Sequence, residues 1–177
     1  MVLAGGRSSR FGSDKFLHVV DGMEMGLRAI RSLQPVVDRV MVVGRHELPS
    51  SWGAEPLFGS REGSGPLGAI LDSLEVVQSN LLVVVPCDMP NLASTSISTL
   101  VDAMIATESV AAFAHSSNLD EPQWLTACWR SDDARDPVAM LYADGVRSVR
   151  DVASRIPHVL VDLPPEELVN LNERVHS

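Results

Sequence analysis

The feature that most constrains the fold is an uninterrupted apolar run, Leu-Leu-Val-Val-Val, at residues 81–85. Its length and its β-branched residues favour a strand, and its lack of polar alternation indicates burial on both faces. Strands of this kind are typical of parallel sheets, in which helices cover each side. We therefore expect residues 81–85 to lie inside such a sheet.

The rest of the chain alternates between strand-like runs and helix-like spacing of apolar residues. We predict strands at residues 1–4, 36–43, 55–58, 110–114, 124–129 and 159–163, an extended piece at 16–20, and helices at 24–33, 65–74, 97–105, 138–142 and 147–154. We expect the third of these helices to be started by Ser94 or Thr95. This order predicts an α/β fold with a three-layer, doubly wound, mostly parallel Rossmann-like sheet. The length suits a single domain over residues 1–177. In such folds ligands lie beyond the carboxyl ends of the strands.

Composition narrows the classes of function. The net charge of −9 argues against a nucleic-acid partner. No apolar run approaches the roughly 20 residues of a membrane helix, and no signal peptide is visible, so we expect no membrane partner and a cytoplasmic location. Cys87 and Cys128 are far apart in sequence and form no C-x-x-C pair, which suits a reducing compartment. The alternative is one long-range disulfide between these two residues. The histidines lack zinc-binding spacing.

The first seventeen residues, MVLAGGRSSRFGSDKFL, combine a short apolar run with glycines and positive charge. Gly5 and Gly6 allow tight bending and close approach to a ligand, and successive backbone N–H groups can surround an anion. Arg7, Arg10 and Lys15 add positive charge suited to phosphate. The spacing matches neither G-x-x-x-x-G-K-[ST] nor G-x-G-x-x-G. The stretch predicts a loop that binds the triphosphate of a nucleotide. The alternative is a flexible Gly/Ser turn with solvated charges.

A second motif, Pro86-Cys87-Asp88-Met89-Pro90, directly follows the predicted buried strand. This position would bring the Asp88 carboxylate out at the ligand edge of the sheet. One carboxylate, completed by waters and substrate phosphates, is a usual way to hold Mg²⁺. The alternative is an Asp that caps the next helix or forms a turn.

Both motifs resemble those of the molybdenum cofactor guanylyltransferase family, whose signatures read L-A-G-G-x-S-S-R-[MF]-G-x-D-K and P-C-D-x-P. The resemblance implies a Rossmann-like nucleotidyltransferase that transfers GMP from GTP to molybdopterin or the molybdenum cofactor and releases pyrophosphate. It implies catalytic roles for Arg10, Lys15 and Asp88, and Mg²⁺ held by Asp88 and by Asn172 of a terminal N-x-N. It also implies contact with other cofactor-biosynthesis or acceptor proteins. The nucleotide-binding residues implied are Leu3, Ala4, Gly5, Gly6, Lys15, Gly44, Glu62, Gly65, Pro66 and Asp88.

Several positions depart from the family pattern. Gly44 stands where Asn is frequent, Gly68 and Ala69 are exchanged in the G-P-L-A-G loop, and no Thr-Pro-Glu follows Asn172. Glu121 stands where relatives carry the His of a His-Pro pair. These departures keep two alternatives open: a cytidylyl- or sugar-phosphate nucleotidyltransferase, and a nucleotide-binding homologue without turnover.

Overall fold

A computed structural model describes residues 1–4, 14–61 and 63–171. The strands are β1 (Val2–Leu3), β2 (Val19–Val20), β3 (Met23–Glu24), β4 (Met41–Val43), β5 (Glu55–Leu57), β6 (Leu81–Pro86), β7 (Ala111–His115), β8 (Gln123–Arg130) and β9 (His158–Asp162). The α-helices are α1 (Met25–Leu33), α2 (Gly65–Val76), α3 (Ser94–Ile105), α4 (Ser131–Ala143) and α5 (Val149–Ala153). Short 3₁₀ helices cover Lys15–Leu17, Ser50–Trp52 and Pro165–Glu167.

One seven-stranded sheet has the order β5-β4-β1-β6-β8-β7-β9. Strands β5, β4, β1 and β6 pair in parallel, as do β7 and β9. Strand β8 runs antiparallel to both of its neighbours, β6 and β7. The prediction of a mostly parallel α/β sheet is therefore confirmed.

Helices cover both faces of this sheet, which makes three layers. Helices α1 and α3 pack on one face, and α2, α4 and α5 pack on the other. Within β6, Val84 and Val85 are both fully buried, and they belong to the two different cores. Successive strand residues point to opposite faces, so a strand between two helical layers is apolar throughout. The interpretation of residues 81–85 is confirmed.

The strand predicted at residues 36–43 is wrong in its first half. Val36 lies in the turn that follows α1, and Val37 comes directly after that turn. Both donate their N–H to the Leu33 carbonyl, at 2.8 and 3.1 Å. Their apolar side chains pack against the core without joining the sheet, which begins again at Met41. β-Branched residues therefore indicated burial here, but not strand pairing.

The extended piece predicted at residues 16–20 is divided between two elements. Its first residues belong to the 3₁₀ helix Lys15–Leu17, and its last two form β2, which pairs with β3 in a hairpin. The connecting residues Asp21 and Gly22 both have positive φ, at 48° and 79°, as the tight two-residue turn requires. Among residues 1–4, 14–61 and 63–171, no helix is long and apolar enough to cross a bilayer.

Candidate active site

The predicted site residues gather at the edge where the parallel strands end. Leu3 ends β1, Gly44 follows β4, and Asp88 lies two residues beyond the end of β6. Strands β1 and β6 are still hydrogen-bonded to each other at this edge, where the Cys87 N–H donates to the Leu3 carbonyl at 3.1 Å. The sheet thus brings together positions that are up to 85 residues apart in sequence.

Lys15 and Asp88 form an ion pair at this edge. Lys15 Nζ lies 3.3 Å from Asp88 Oδ2, and the two side chains are 21% and 22% exposed. The 3₁₀ helix that carries Lys15 is capped by Asp14, whose Oδ1 accepts the Phe16 N–H at 3.1 Å. A cation and a carboxylate in contact in a half-buried setting can act together on a phosphate and its counter-ion.

The backbone of Asp88 is also tied to the end of the described chain. Its carbonyl accepts the Leu171 N–H at 2.9 Å, and Asn172 is the next residue in sequence. Leu3, Ala4, Lys15, Gly44, Gly65, Pro66 and Asp88 all lie in described segments. The other predicted site residues lie outside the described residues: Gly5, Gly6, Arg10, Glu62 and Asn172.

Cys87, which precedes Asp88, is a buried thiol. Burial, and then the neighbouring Asp88 charge, raises the pKa of Cys87 to about 11. The group therefore stays protonated at neutral pH, where the thiolate would be the nucleophile. Its side chain packs in the core that contains α1 and α3. Cys87 is thus a structural residue of the strand end.

Arg45 connects the Lys15 segment to the end of β4. Its guanidinium donates to Asp14 Oδ1 and lies 4.6 Å from the centroid of the Phe16 ring. The hydrogen bond from Arg45 holds the pKa of Asp14 below its usual range. Arg45 Nε is buried and meets no acceptor among the described residues, so it can donate to a bound ligand.

We predict that Arg45→Ala lowers kcat/KM for the nucleotide about tenfold, because it removes the charged hydrogen bond to Asp14, the residue that caps the 3₁₀ helix carrying Lys15. Arg39→Ala is the matched control, since Arg39 forms an exposed ion pair with Glu55. Steady-state kinetics on both variants is the measurement. Equal activity of Arg45→Ala and wild type would contradict this role.

The same variant should change stability with a defined pH dependence. Because the folded state lowers the pKa of Asp14, the pair stabilises the protein above the pKa of an unfolded Asp, about 4, and loses this effect as the pH falls below it. Arg45→Ala should therefore lower Tm by about 2–4 °C at pH 7 and by less near pH 3. A Tm difference that stays constant over this range would contradict the assignment.

A cavity of about 490 Å³ adjoins this cluster. Its walls come from the ends of β1, β4 and β5 and from the start of α2. Arg45 lines the cavity and also contacts Asp14, so the cavity and the Lys15–Asp88 pair are neighbouring parts of one site. The volume lies within the range of small-molecule sites. Four of the predicted nucleotide-binding residues line it: Leu3, Gly44, Gly65 and Pro66.

The loop before α2 has the backbone that its glycines predict. Gly65 has a φ of +81°, a conformation that L side chains rarely adopt, and Pro66 occupies the first turn of the helix. At Gly68, where the family motif has Ala, a Cβ would lie 3.2 Å from the Cβ of Arg61, a tight contact that this neighbour would have to relieve by a few tenths of an ångström. Ala69 instead lines the cavity.

A charged network closes the cavity on the α2 side. Arg61 donates from Nη1 to Asp72 Oδ1 at 2.6 Å and pairs with both oxygens of Glu75 at 2.8 Å. These two carboxylates, Glu75 above all, raise the pKa of Arg61 further above its usual value. Sequence reasoning missed this network and its neighbours His46 and Phe58. The only local signal was the i, i+3 spacing of Asp72 and Glu75 on one helix.

The far side of the Asp88 edge is formed by the start of β8. Asn170 Nδ2 donates to Gln123 Oε1 at 3.2 Å, so the C-terminal segment is held beside this strand. Glu121, just before it, forms an exposed ion pair with Arg150 at 2.6 Å. The edge therefore offers polar side chains on the side opposite the cavity.

Comparison with known proteins places the chain among nucleotidyltransferases. A family model described as the MobA-like NTP transferase domain matches residues 1–159. The molybdenum cofactor guanylyltransferase of Pasteurella multocida is 28% identical over 181 residues, which are 99% of this chain and 94% of that protein. The protein of the same name from Methylibium petroleiphilum is 29% identical over 183 residues, 97% of this chain and 89% of that protein.

Solved structures share the fold. Molybdopterin-guanine dinucleotide biosynthesis protein A from Archaeoglobus fulgidus superposes with a TM-score of 0.75 at 22% identity, over 91% of this chain and 81% of that one. The 2-C-methyl-D-erythritol 4-phosphate cytidylyltransferase of Thermus thermophilus has a TM-score of 0.76 at 15% identity, over 97% and 91% of the two chains. The predicted Rossmann-like nucleotidyltransferase fold is confirmed, and this fold is shared by proteins named for different bases.

Proposed function

Because this chain belongs to the MobA-like NTP transferase domain family, we propose that it is a Mg²⁺-dependent guanylyltransferase. In this proposal it transfers GMP from GTP to molybdopterin, releases pyrophosphate and forms the guanine dinucleotide cofactor. The observation that carries the proposal is the Lys15–Asp88 pair, with 3.3 Å between Nζ and Oδ2, beside a cavity of about 490 Å³. A cation and a carboxylate suit a phosphate with its counter-ion, and the volume of the neighbouring cavity is in the range of small-molecule sites, which supports nucleotidyl transfer at this edge.

The reaction needs no protein nucleophile. A phosphate oxygen of the acceptor forms the new bond to the α-phosphorus, while the bond to the β-phosphate oxygen breaks and its electron pair leaves with pyrophosphate. The attacking phosphate is already an anion, so the protein contributes positioning and neutralisation of charge. In this proposal Lys15 and Arg10 stabilise the departing pyrophosphate, and the N–H groups of Gly5 and Gly6 bind phosphate oxygens.

The donor set at Asp88 suits Mg²⁺. The described residues contain no cluster of three or more His, Cys, Asp or Glu side chains that could hold a metal by themselves. Mg²⁺ is commonly bound by one or two carboxylates, with waters and substrate phosphates completing the shell. We assign Asp88 and Asn172 as the ligands from the protein, and the metal would neutralise charge at the phosphates.

We assign the choice of guanine to the Leu3-Ala4-Gly5-Gly6 segment and to Glu62. Arg61 and Gly63, which flank Glu62 in sequence, both line the cavity, and this supports a base-side role for the loop. A carboxylate can accept from the N–H groups of a guanine edge. Gly44 contributes no side chain to the cavity, so the contacts on the β4 side come from backbone groups and from the neighbouring side chains of Val43, Arg45 and His46.

The test is release of pyrophosphate from GTP, CTP and ATP in the presence of molybdopterin, with and without Mg²⁺. We expect GTP to support turnover, and we expect chelation of the metal to abolish it. Calorimetric titration with the same nucleotides measures base preference separately from chemistry. A preference for CTP would reassign the protein to cytidylyl transfer, and nucleotide binding without turnover would identify a non-catalytic homologue.

A further inference from the structure

The rim of the cavity carries an aromatic ring that the fold leaves uncovered. Phe58 directly follows β5 and lines the cavity, and 61% of its surface is exposed. Aromatic rings bury a large apolar surface when they are covered, so an open ring at the mouth of a ligand site is a candidate contact for a ligand. Its position beyond a carboxyl strand end is where α/β folds bind ligands.

The imidazole of His46 packs against the Phe58 ring. The two ring centroids lie 5.4 Å apart with 29° between the planes, which is a stacked arrangement. His46 follows β4 and also lines the cavity, so the pair spans the ends of two adjacent strands. The imidazole therefore packs against the Phe58 ring, which is still 61% exposed.

The loop after Phe58 is fixed to α2 by one buried carboxylate. Asp72 is 5% exposed and accepts from Ser60 Oγ at 3.2 Å, from the Arg61 N–H at 3.1 Å and from Arg61 Nη1 at 2.6 Å. A Cβ at Gly59 would overlap the Asp72 carboxylate, so glycine is what lets the loop lie this close. Three donors on one carboxylate hold the chain directly after Phe58, and the ring is thus pre-positioned.

We propose that Phe58, supported by His46, is the surface on which the base of the bound nucleotide stacks. The inference rests on the proposed function for the identity of the ligand, and it adds a binding residue to that site. A nucleobase presents a flat π-face whatever its edge, so stacking on Phe58 adds affinity without choosing the base. Phosphate affinity, in contrast, comes from the Lys15 side of the site.

Phe58→Ala separates the two contributions. We expect the Kd for GTP, measured by calorimetry with Mg²⁺, to rise about 5- to 100-fold, and the Kd for inorganic triphosphate to stay unchanged. KM for GTP should rise while kcat at saturating GTP stays the same. Phe58→Trp should retain GTP affinity. Ile105→Ala, at an exposed apolar residue of α3, is the matched control and should behave as wild type.

Two results would overturn the stacking surface. Unchanged GTP affinity in Phe58→Ala would show that the ring does not touch the base. An equal loss for GTP and inorganic triphosphate would show that Phe58 acts through the fold of the site. If wild type binds GTP but does not transfer GMP, the proposed activity fails, and the comparison of Phe58→Ala with wild type still decides the stacking surface.

Discussion

Asp88→Asn is expected to lower Mg²⁺-dependent pyrophosphate release at least about 100-fold while the protein stays folded. The change keeps the size of the side chain and removes its charge, which is the property that holds a hard cation. It also removes the ionic partner of Lys15, at 3.3 Å from Nζ. Stability should change little, because partly exposed ion pairs contribute about 1 kcal/mol or less.

The measurement is pyrophosphate release as a function of Mg²⁺ concentration, with Tm recorded for each protein. Asp102→Asn is the matched control, because Asp102 is an exposed carboxylate of α3. Wild-type activity with an unchanged Mg²⁺ profile in Asp88→Asn would remove Asp88 from the site. A large fall in Tm would instead show that the carboxylate serves the fold.

Lys15→Met is expected to lower kcat about 10²- to 10³-fold, since in the proposed mechanism it removes the positive charge that stabilises the departing pyrophosphate. Met keeps much of the apolar stem that lies in the half-buried position, where the Lys15 side chain is 21% exposed. Lys15→Arg retains the charge and should recover part of the activity, although a planar fork does not reproduce a compact ammonium. Normal turnover in Lys15→Met would support the solvated-turn alternative.

A second readout for Lys15 exists because it is the only lysine in the chain. Protein labelled selectively at lysine should therefore give a single side-chain NMR signal. We expect this signal to shift on addition of GTP or inorganic triphosphate. The shift should persist in Phe58→Ala at saturating GTP, because base stacking and phosphate contact involve different residues. A signal that GTP leaves unmoved would place Lys15 outside the phosphate site.

The variants Lys15→Met and Asp88→Asn can also be combined, to test whether the two residues act together. If Lys15 and Asp88 act on one phosphate-bound site, the double variant Lys15→Met/Asp88→Asn should lose much less activity than the product of the single losses. Losses that multiply would mean that the two residues act independently in spite of their contact. The double variant also removes both members of the ion pair, so neither charge is left alone in a half-buried position.

Local patterns were enough to predict the alternation of strands and helices along the chain and a mostly parallel sheet. The apolar run at residues 81–85 predicted β6 because a strand buried on both faces has no polar positions, and Val84 and Val85 do reach opposite cores. The position of Asp88 followed from the same pattern, since ligand groups emerge where parallel strands end. Local patterns failed at Val36 and Val37, where partly buried β-branched side chains pack against the core outside any strand.

The sequence by itself therefore determined the order of the elements along the chain and the residues that follow each strand. Backbone preference and burial pattern act over a few neighbouring positions, so both can be seen in the sequence. The tertiary structure alone decided which of these residues meet. Arg45 on Asp14, Arg61 on Asp72 and His46 on Phe58 each join segments that no sequence spacing links. Their contacts depend on strand order and on how closely Gly59 lets its loop approach α2. Strand order and loop approach follow from the packing of the whole chain, so local patterns do not contain them.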